Sequence, residues 1–304
     1  MTEFPLVSVI VLSLNGADVI RECLDTLLVN DYPNFEVLVV NNGSTDATPE
    51  IVSNEYPRVR LINLPQNRGY AGGMNEGLKA SRGEILVPLN DDTINTPNLV
   101  SEIVRPMLED PQVGVVGCKI LYPDRKTLQH AGGIILPNGL TRHFGYEEED
   151  RGQYDEQREV DYVTGCAIAI RRKIFQQLGL YDDRYFPTYY EEVEYAVRVR
   201  KAGYKIVYNP RALLYHLESK TEIRFSPKFL YRYSKSRWRF VLKNFTWGQI
   251  LRAIPYELKW LTTIDLGMYF VPLGKAYLAT LVRLPFILYD RKYRFLPLED
   301  PPTE

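Results

Sequence analysis

Short apolar runs alternate with stretches of helical period through the first half of the chain. Leu6 to Leu14 is a β-rich run that stops at the turn signal Asn15-Gly16. From about Asp18, Ile20, Leu24, Leu27 and Leu28 fall on one helical face. Phe35 to Val40 reads as a second buried strand, Pro49 to Tyr56 as a helix, and Val59 to Leu64 as a third strand. A glycine-rich loop, Asn67 to Gly73, then opens a helix near Met74 that runs to Ala80. Ile85, Leu86, Val87 and Leu89 form the next strand, which runs into Asn90-Asp91-Asp92. Strands this uniformly apolar are buried on both faces, so the alternation predicts an α/β fold with a right-handed, doubly wound, mostly parallel sheet.

The second half continues with a helix over Pro97 to Glu109 and a strand over Val113 to Leu121. Residues 123–157 are rich in Gly, Asp, Glu and Arg and predict loops and short strands over the sheet edge. Val160 to Ile170 reads as another buried strand, Arg171 to Leu178 as a helix and Glu191 to Ala202 as a helix. Lys205 to Tyr208 and Ala212 to Tyr215 read as two short strands. From Ser226 onward, aromatic and basic residues interleave, and Trp247, Ile250, Leu251, Ile254 and Leu258 recur at helical spacing. The pattern therefore predicts an α/β domain over 1–222, with halves of about 1–122 and 123–222, the first like a nucleotide-binding layer, and a helical region over 223–304.

Charge sharpens this division. The net charge of −1 conceals an asymmetry: Lys220 to Arg294 holds 15 Lys/Arg against 4 Asp/Glu, while residues 1–219 hold 22 against 31. Basic residues among aromatics suit nucleic acid, an anionic membrane surface or ordinary helical packing. With the charges spread along helical faces and no nucleic-acid motif present, a membrane surface is favoured and nucleic acid is not expected. Cys23, Cys118 and Cys166 lie far apart, which predicts buried reduced thiols in a cytoplasmic protein, with no zinc site or disulfide framework. An acidic N-terminus leading into a strand predicts no signal peptide. Trp260 to Tyr289 is interrupted by Asp265, Lys275, Arg283 and two prolines, so no spanning helix is expected.

Candidate chemistry gathers at the predicted strand ends. Asp91 and Asp92 follow a strand at the end where open α/β sheets bind ligands. They fit a divalent cation carrying a phosphorylated ligand, or a polar turn capping the next helix. Asn41 to Asp46 closes the second strand; its side-chain oxygens suit a nucleobase imide N–H, and Gly43 allows close backbone approach. A bare turn has the same composition. The stretch Asn67-Arg68-Gly69-Tyr70-Ala71-Gly72-Gly73 suits a phosphate cradle with Arg68 facing the ligand, or a flexible connection, and it lacks the dinucleotide pattern G-x-G-x-x-G. Glu191, Glu192 and Glu194 open a helix, where the macrodipole favours carboxylates; a glutamate there also suits a general base. His216 ends a short strand and reads as structural or as a ligand, whereas His130 and His143 sit in the loop-rich region without such context.

Six motifs occur in order: Val7-Ser-Val-Ile-Val-Leu-Ser-Leu-Asn, Val39-Val-Asn-Asn-Gly-Ser-Thr-Asp, Asn67-Arg-Gly-Tyr-Ala-Gly-Gly-Met-Asn, Leu89-Asn-Asp-Asp-Thr, Val163-Thr-Gly-Cys-Ala, and Tyr190-Glu-Glu-Val-Glu followed by Arg200-Lys-Ala-Gly-Tyr. The series, over Val7 to Ser219, resembles the family 2 glycosyltransferases, inverting enzymes of GT-A fold, and is similar to their rhamnosyltransferase-like branch. The resemblance implies Mn²⁺ or Mg²⁺ on a donor diphosphate, ligated by Asp92 and His216, with Asn90 standing where the family has a first aspartate. It implies nucleotide contacts from Leu14, Asn15, Asn41, Gly43 and Asp46, from Asn67, Arg68, Gly72 and Asn75, and from Asn90 and Asp91. Asn41 stands where many relatives have the base-contacting aspartate, which leaves uracil and thymine both open.

Glu191 and Glu192 stand at the family's Glu-Asp pair, so the resemblance implies Glu192 as catalytic base with Glu191 beside it. Gly165 and Cys166 would border the sugar and acceptor. The implied activity moves rhamnose or another hexose from a dTDP- or UDP-sugar to a hydroxyl of a glycan or polyprenyl-linked acceptor in cell-surface polysaccharide synthesis. The basic tail would place it at the inner face of the cell membrane, with the oligomeric state open. Two rivals are a sugar nucleotidylyltransferase and a non-catalytic sugar-nucleotide-binding module. The first needs a glycine- and basic-rich signature where this chain has Leu14-Asn15-Gly16.

Overall fold

A computed structural model describes residues 4–218 and 226–291. The expected boundary at 222/223 lies outside the described residues, as do Ser219 and the tail charges Lys220, Glu222, Arg224, Lys292 and Arg294. The first half follows the expected alternation: β1 (Val7–Ser13), α1 (Ile20–Leu28), β2 (Phe35–Asn41), α2 (Thr48–Glu55), β3 (Arg60–Asn63), α3 (Gly69–Ala80) and β4 (Ile85–Asn90). Then come β5 (Thr93–Asn95), α4 (Leu99–Glu109), β6 (Val113–Leu121), β7 (Leu128–His130), and a hairpin of β8 (Gly133–Ile135) and β9 (Thr141–His143). β10 (Arg158–Glu159), β11 (Ile168–Arg171), α5 (Arg172–Leu178), α6 (Glu191–Lys201) and β12 (Lys205–His216) complete this part.

The main sheet runs β10-β12-β6-β11-β4-β1-β2-β3. β1 lies parallel to β2 and β4, β2 to β3, and β6 to β12, while β11 is inserted antiparallel between β4 and β6 and β10 pairs antiparallel with β12 at the edge. Both faces are covered. Val9 and Val11 pack with α1 and α4, whereas Ile10, Leu38 and Val40 pack with α3. That two-sided burial is why these strands read as continuous apolar runs rather than alternating ones.

Three expectations change. The helix expected from Met74 begins at Gly69, so Gly72 and Gly73 lie inside α3 and are buried. Small residues are needed there because α3 sits close on the sheet: a Cβ at Gly77 would stand 2.3 Å from Ile10 Cγ2, and one at Gly73 2.7 Å from Leu12 Cδ1. The strand expected over Val160 to Ile170 is regular only from Ile168, because Val160 bonds to Ile206 and Asp161 to Gly133, partners on different strands. The two short strands after α6 are one strand, β12, whose register shifts between Asn209 and Leu213.

The C-terminal region forms α7 (Pro227–Asn244), α8 (Trp247–Leu261), α9 (Leu266–Val282) and α10 (Leu284–Asp290). Ser226 caps α7, and a Thr246–Gln249 capping box starts α8. α7 packs directly on the α/β part, since Phe240 and Val241 are fully buried in the core cluster that contains Tyr190 and Val193. The basic surface expected on α7 is corrected for Arg237, Arg239 and Lys243, which are buried. Arg239 and Lys243 both pair with Asp182, at 3.1 and 2.8 Å, and Lys243 also reaches Glu194. Burial alone would raise the Asp182 carboxyl, but Lys243 and Arg239 outweigh it and hold it well below the usual carboxylate range. All three cysteines are free and buried.

Candidate active site

The C-terminal ends of β1, β2 and β4 open onto one edge of the sheet, where α3 begins and β12 ends. At the end of β4, the Asp91 carboxylate accepts a 2.5 Å bond from Ser13 Oγ at the end of β1. Gly16 is required by this contact: a Cβ there would stand 2.2 Å from Asp91 Oδ2. Burial pushes the Asp91 carboxyl up to about 7; the Ser13 hydroxyl opposes this and the neighbouring Asp92 adds to it. Asp92 is buried, and its Oδ1 lies 3.0 Å from His216 Nε2, because β12 pairs His216 with Thr93 of β5.

Gln129 of β7 holds the other side of the ring: its Oε1 lies 2.7 Å from His216 Nδ1, and its Nε2 lies 3.4 Å from Glu218 Oε2. His216 Nε2 and Asp92 Oδ1, 3.0 Å apart, stand close enough to share one metal ion. An O,N donor pair suits Mn²⁺, and Mg²⁺ through the carboxylate. Among the described residues no three His, Cys, Asp or Glu side chains converge on one point. Asp92 and His216 thus fit a cation whose other positions fall to a ligand's phosphate oxygens and water, the usual arrangement where few protein ligands are present. Asn90 Nδ2 also reaches His216 Nε2, at 3.4 Å.

The other sequence candidates divide into those at this edge and those occupied in holding it. Asn15 Oδ1 accepts from Thr45 N–H, and Asp46 uses both oxygens on Ala17 and Thr48. Asn41 is buried, accepts from Ser44 N–H and donates to Asn63 Oδ1. Leu14 is partly buried at the head of this loop, and Gly43 takes φ +78° there, where a Cβ would meet the Gln66 backbone. Asn67 accepts from Gly69 N–H, and Arg68 pairs with Glu76 at 2.7 Å. Asn75 clamps the Tyr181 backbone through both ends of its amide and faces the protein interior. Gly72, inside α3, lies beside the Arg68 side chain. Asn42, absent from the sequence candidates, ties these loops together by accepting from Arg68 N–H and donating to Gly69 O.

The dipeptide Gly165-Cys166 joins the metal-fitting pair to the glutamates. Cys166 O accepts from Asn90 N–H, Gly165 O accepts a 2.6 Å bond from Tyr70 Oη, and the Gly165 backbone N–H bonds Glu192. Glu191 and Glu192 start α6 after Tyr189 and Tyr190, both in the left-handed region at φ +82° and +74°. Such strain costs on the order of 1–2 kcal/mol per residue, held here by the buried Tyr190 ring. The three glutamates of this turn separate: Glu194 is a structural partner of Arg198 and Lys243, while Glu191 and Glu192 face inward near Tyr70. Burial, then the charge of Glu192, raises the Glu191 carboxyl far above its usual range, and Glu191 Oε2 is buried without a hydrogen-bond partner among the described residues. Burial also raises Glu192, to about 7, against backbone bonds that favour its ionised form. Burial thus holds both carboxyls above their usual range, and the two titrate together as a pair. Ser13 and Tyr70 lie within the quoted motifs but had no role assigned, and Gln129 lies in none, because each acts through a partner 78 to 95 residues away.

Residues 8–179 match the family described as Glycosyl transferase family 2. The chain is 32% identical over 232 residues to the O-antigen biosynthesis protein RfbC of Myxococcus xanthus, covering 71% of this chain and 17% of that one. It is 29% identical over 230 residues to the N-acetylglucosaminyl-diphospho-decaprenol L-rhamnosyltransferase of Mycobacterium tuberculosis, covering 67% of this chain and 74% of that one. Two of the curated relatives are far longer than the matched region, which spans 25% and 17% of them. In fold, the mannosyltransferase PcManGT of Pyrobaculum calidifontis, solved with GDP-Man and Mn²⁺, superposes with a TM-score of 0.59 at 19% identity, covering 95% of this chain and 86% of that one. The sheet order with its single antiparallel insertion is the GT-A architecture that the motifs implied.

Proposed function

This chain belongs to glycosyl transferase family 2, and from that premise we propose that it is an inverting, metal-dependent transferase that moves rhamnose or another hexose from a dTDP- or UDP-sugar to a hydroxyl. The acceptor is a glycan or polyprenyl-linked saccharide of cell-surface polysaccharide synthesis, met at the inner face of the membrane. The similarity to a decaprenol-linked rhamnosyltransferase and to an O-antigen biosynthesis protein supports this reading of the acceptor. The observation that carries the proposal is the 3.0 Å Asp92–His216 pair set beside Glu192 through Gly165-Cys166. A nucleotidylyltransferase or a non-catalytic module has no use for a base poised there.

In this mechanism residues 1–122 hold the nucleotide and residues 123–222 the sugar and acceptor. The loops after β1 and β2, with Leu14, Asn15, Asn41, Gly43 and Asp46, frame the base through their backbone. Arg68 and the start of α3 face the phosphates, and Asn90 and Asp91 position the nucleoside. Asp92 and His216 would hold Mn²⁺ or Mg²⁺ on the diphosphate, and when bound the ion offsets charge developing on that leaving group. Glu192 accepts the proton of the acceptor hydroxyl as its oxygen attacks C1 of the sugar from the face opposite the diphosphate. One displacement inverts the anomeric configuration. Gly165 and Cys166 keep the wall beside the sugar small.

Nucleotide release from a donor panel (dTDP-rhamnose, UDP-glucose, UDP-galactose, UDP-N-acetylglucosamine and GDP-mannose) tests this with Mn²⁺ and with chelator. One donor should be consumed, and Asp92→Ala should lower its turnover at least about 100-fold. Turnover undiminished by chelator and by Asp92→Ala would sink the metal-dependent reading. Gln129→Leu removes the acceptor that orients His216. Its Mn²⁺ affinity, read by electron paramagnetic resonance without donor, should fall about 10–100-fold with the circular dichroism spectrum unchanged.

A further inference from the structure

Thirteen of the sixteen large apolar side chains that stand exposed among the described residues lie between Trp247 and Tyr289, on α8, α9 and α10. They are not scattered. On α8, Trp247, Leu251, Ile254 and Leu258 recur at i, i+4, i+7 and i+11, one stripe, while Ala253 and Glu257 on the opposite side are buried. On α9, Val271, Leu278 and Val282 face outward, and Leu273, Ala276 and Thr280 face inward. On α10, Phe286 is 72% and Tyr289 69% exposed, while Ile287 and Asp290 are buried. Each helix thus has one face committed to the protein and one apolar face turned outward. Monomeric proteins rarely leave apolar surface this concentrated in water.

The charges at the outward faces choose among possible occupants. The exposed charged residues of these three helices are Arg252, Lys259, Lys275 and Arg283 against Asp265 alone. Glu257 and Asp290 are turned inward onto arginines. Lysine is depleted from the cores of protein–protein interfaces, whereas an apolar stripe with Trp and Tyr, fringed by basic residues, matches an anionic lipid surface. Among the described residues no single helix is long and apolar enough to cross a membrane; α9 and α10 reach that length and composition only as a pair, broken by a 63° bend. Beside the exposed apolar stripe of α8, faces of this kind fit a seat in one leaflet.

We propose that α8, α9 and α10 form an insertion face that seats this protein in one leaflet of an anionic bilayer, held chiefly by the exposed apolar side chains. This rests on the lipid-linked-acceptor reading and deepens it, and it moves the membrane contact from the basic residues of α7 to the apolar face beyond it. Arg237, Arg239 and Lys243 of α7 are buried in ion pairs and face no lipid. The seat holds the sheet edge at a fixed distance from the bilayer, where a polyprenyl diphosphate presents its sugar.

Sedimentation of the full chain with vesicles of phosphatidylcholine, alone and with about 30% phosphatidylglycerol, tests this. The protein should pellet with both, more strongly with the anionic ones. Phe270→Gln/Phe286→Gln alters only exposed positions and should lower the partition coefficient roughly 100-fold. Lys228→Ala on α7 should leave it within about twofold. The inference is overturned by absence of pelleting, by equal pelleting of the double variant, or by a concentration-dependent dimer that the double variant dissolves without vesicle binding. Donor hydrolysis in the same preparations reports the catalytic reading separately. Vesicle binding without hydrolysis removes that reading and keeps this one, and hydrolysis without vesicle binding does the reverse.

Discussion

Glu192→Gln is expected to lower kcat by 10²–10⁴-fold, the range for loss of a positioned general base, while nucleotide-sugar affinity stays within a few fold. Gln keeps the side-chain length and can still meet the Gly165 backbone, so the loss isolates proton acceptance from packing. In the native protein, turnover should fall as pH drops through about 7, where burial has placed the Glu192 carboxyl. That fall should vanish from the residual activity of the variant. Stability should move the other way. A carboxyl raised on folding contributes stability below its unfolded value of about 4.3, and that contribution is lost as pH rises through the folded one. At pH 8 the native protein therefore carries an ionised, poorly solvated glutamate that the variant lacks, and the variant should melt higher. A variant with undiminished turnover, or one that no longer binds donor, would remove Glu192 from the role. Glu191→Gln, which leaves the Glu192 carboxyl and its Gly165 contact in place, should cost far less in turnover.

Glu257→Leu should destabilise the protein by about 3–5 kcal/mol in urea unfolding, the cost of leaving a buried charge without its partner. Arg237 is completely buried, and Glu257 meets its guanidinium through both oxygens, at 2.8 and 2.5 Å. The same carboxylate accepts from Tyr277 Oη on α9 and from Asn138 Nδ2 in the β8–β9 hairpin. One side chain on α8 thereby binds α7, α9 and the β8–β9 hairpin together. Adding Arg237→Leu should recover most of the loss, since a buried pair replaced by apolar residues is often neutral. A single variant within about 1 kcal/mol of wild type would show that water reaches Arg237 and that the C-terminal helices are only loosely held.

The motifs at the ends of β1, β2 and β4 were legible before any coordinates because each depends on near neighbours. An apolar run buried on both faces makes a central strand, and the polar residues that follow it must stand at the sheet edge. Asp92 was expected at the edge this way, and it stands there at the end of β4; the Glu191-Glu192 pair was singled out as an acidic helix start, and it opens α6. Where the signal is spread over distance, reading fails. Gly72 and Gly73 looked like a phosphate loop because glycine disfavours helix, yet they are helical because α3 sits too close to β1 for larger residues. Asn75 looked like a ligand and instead clamps Tyr181.

By itself, the sequence determined the α/β alternation, the parallel core and the ordered edge residues, because backbone period and burial are written locally. Only the tertiary structure set Asp92 against His216, which β12 brings to 3.0 Å, and placed Gln129, from a stretch with no periodicity, against the other ring nitrogen. It also divided the basic tail. Acids at positions 182, 194 and 257 draw Arg237, Arg239 and Lys243 of α7 inside, while exposed apolar residues of α8, α9 and α10 face outward. Charge counts carry no direction. A buried ion pair exists only when its partner, far away in sequence, has been folded against it.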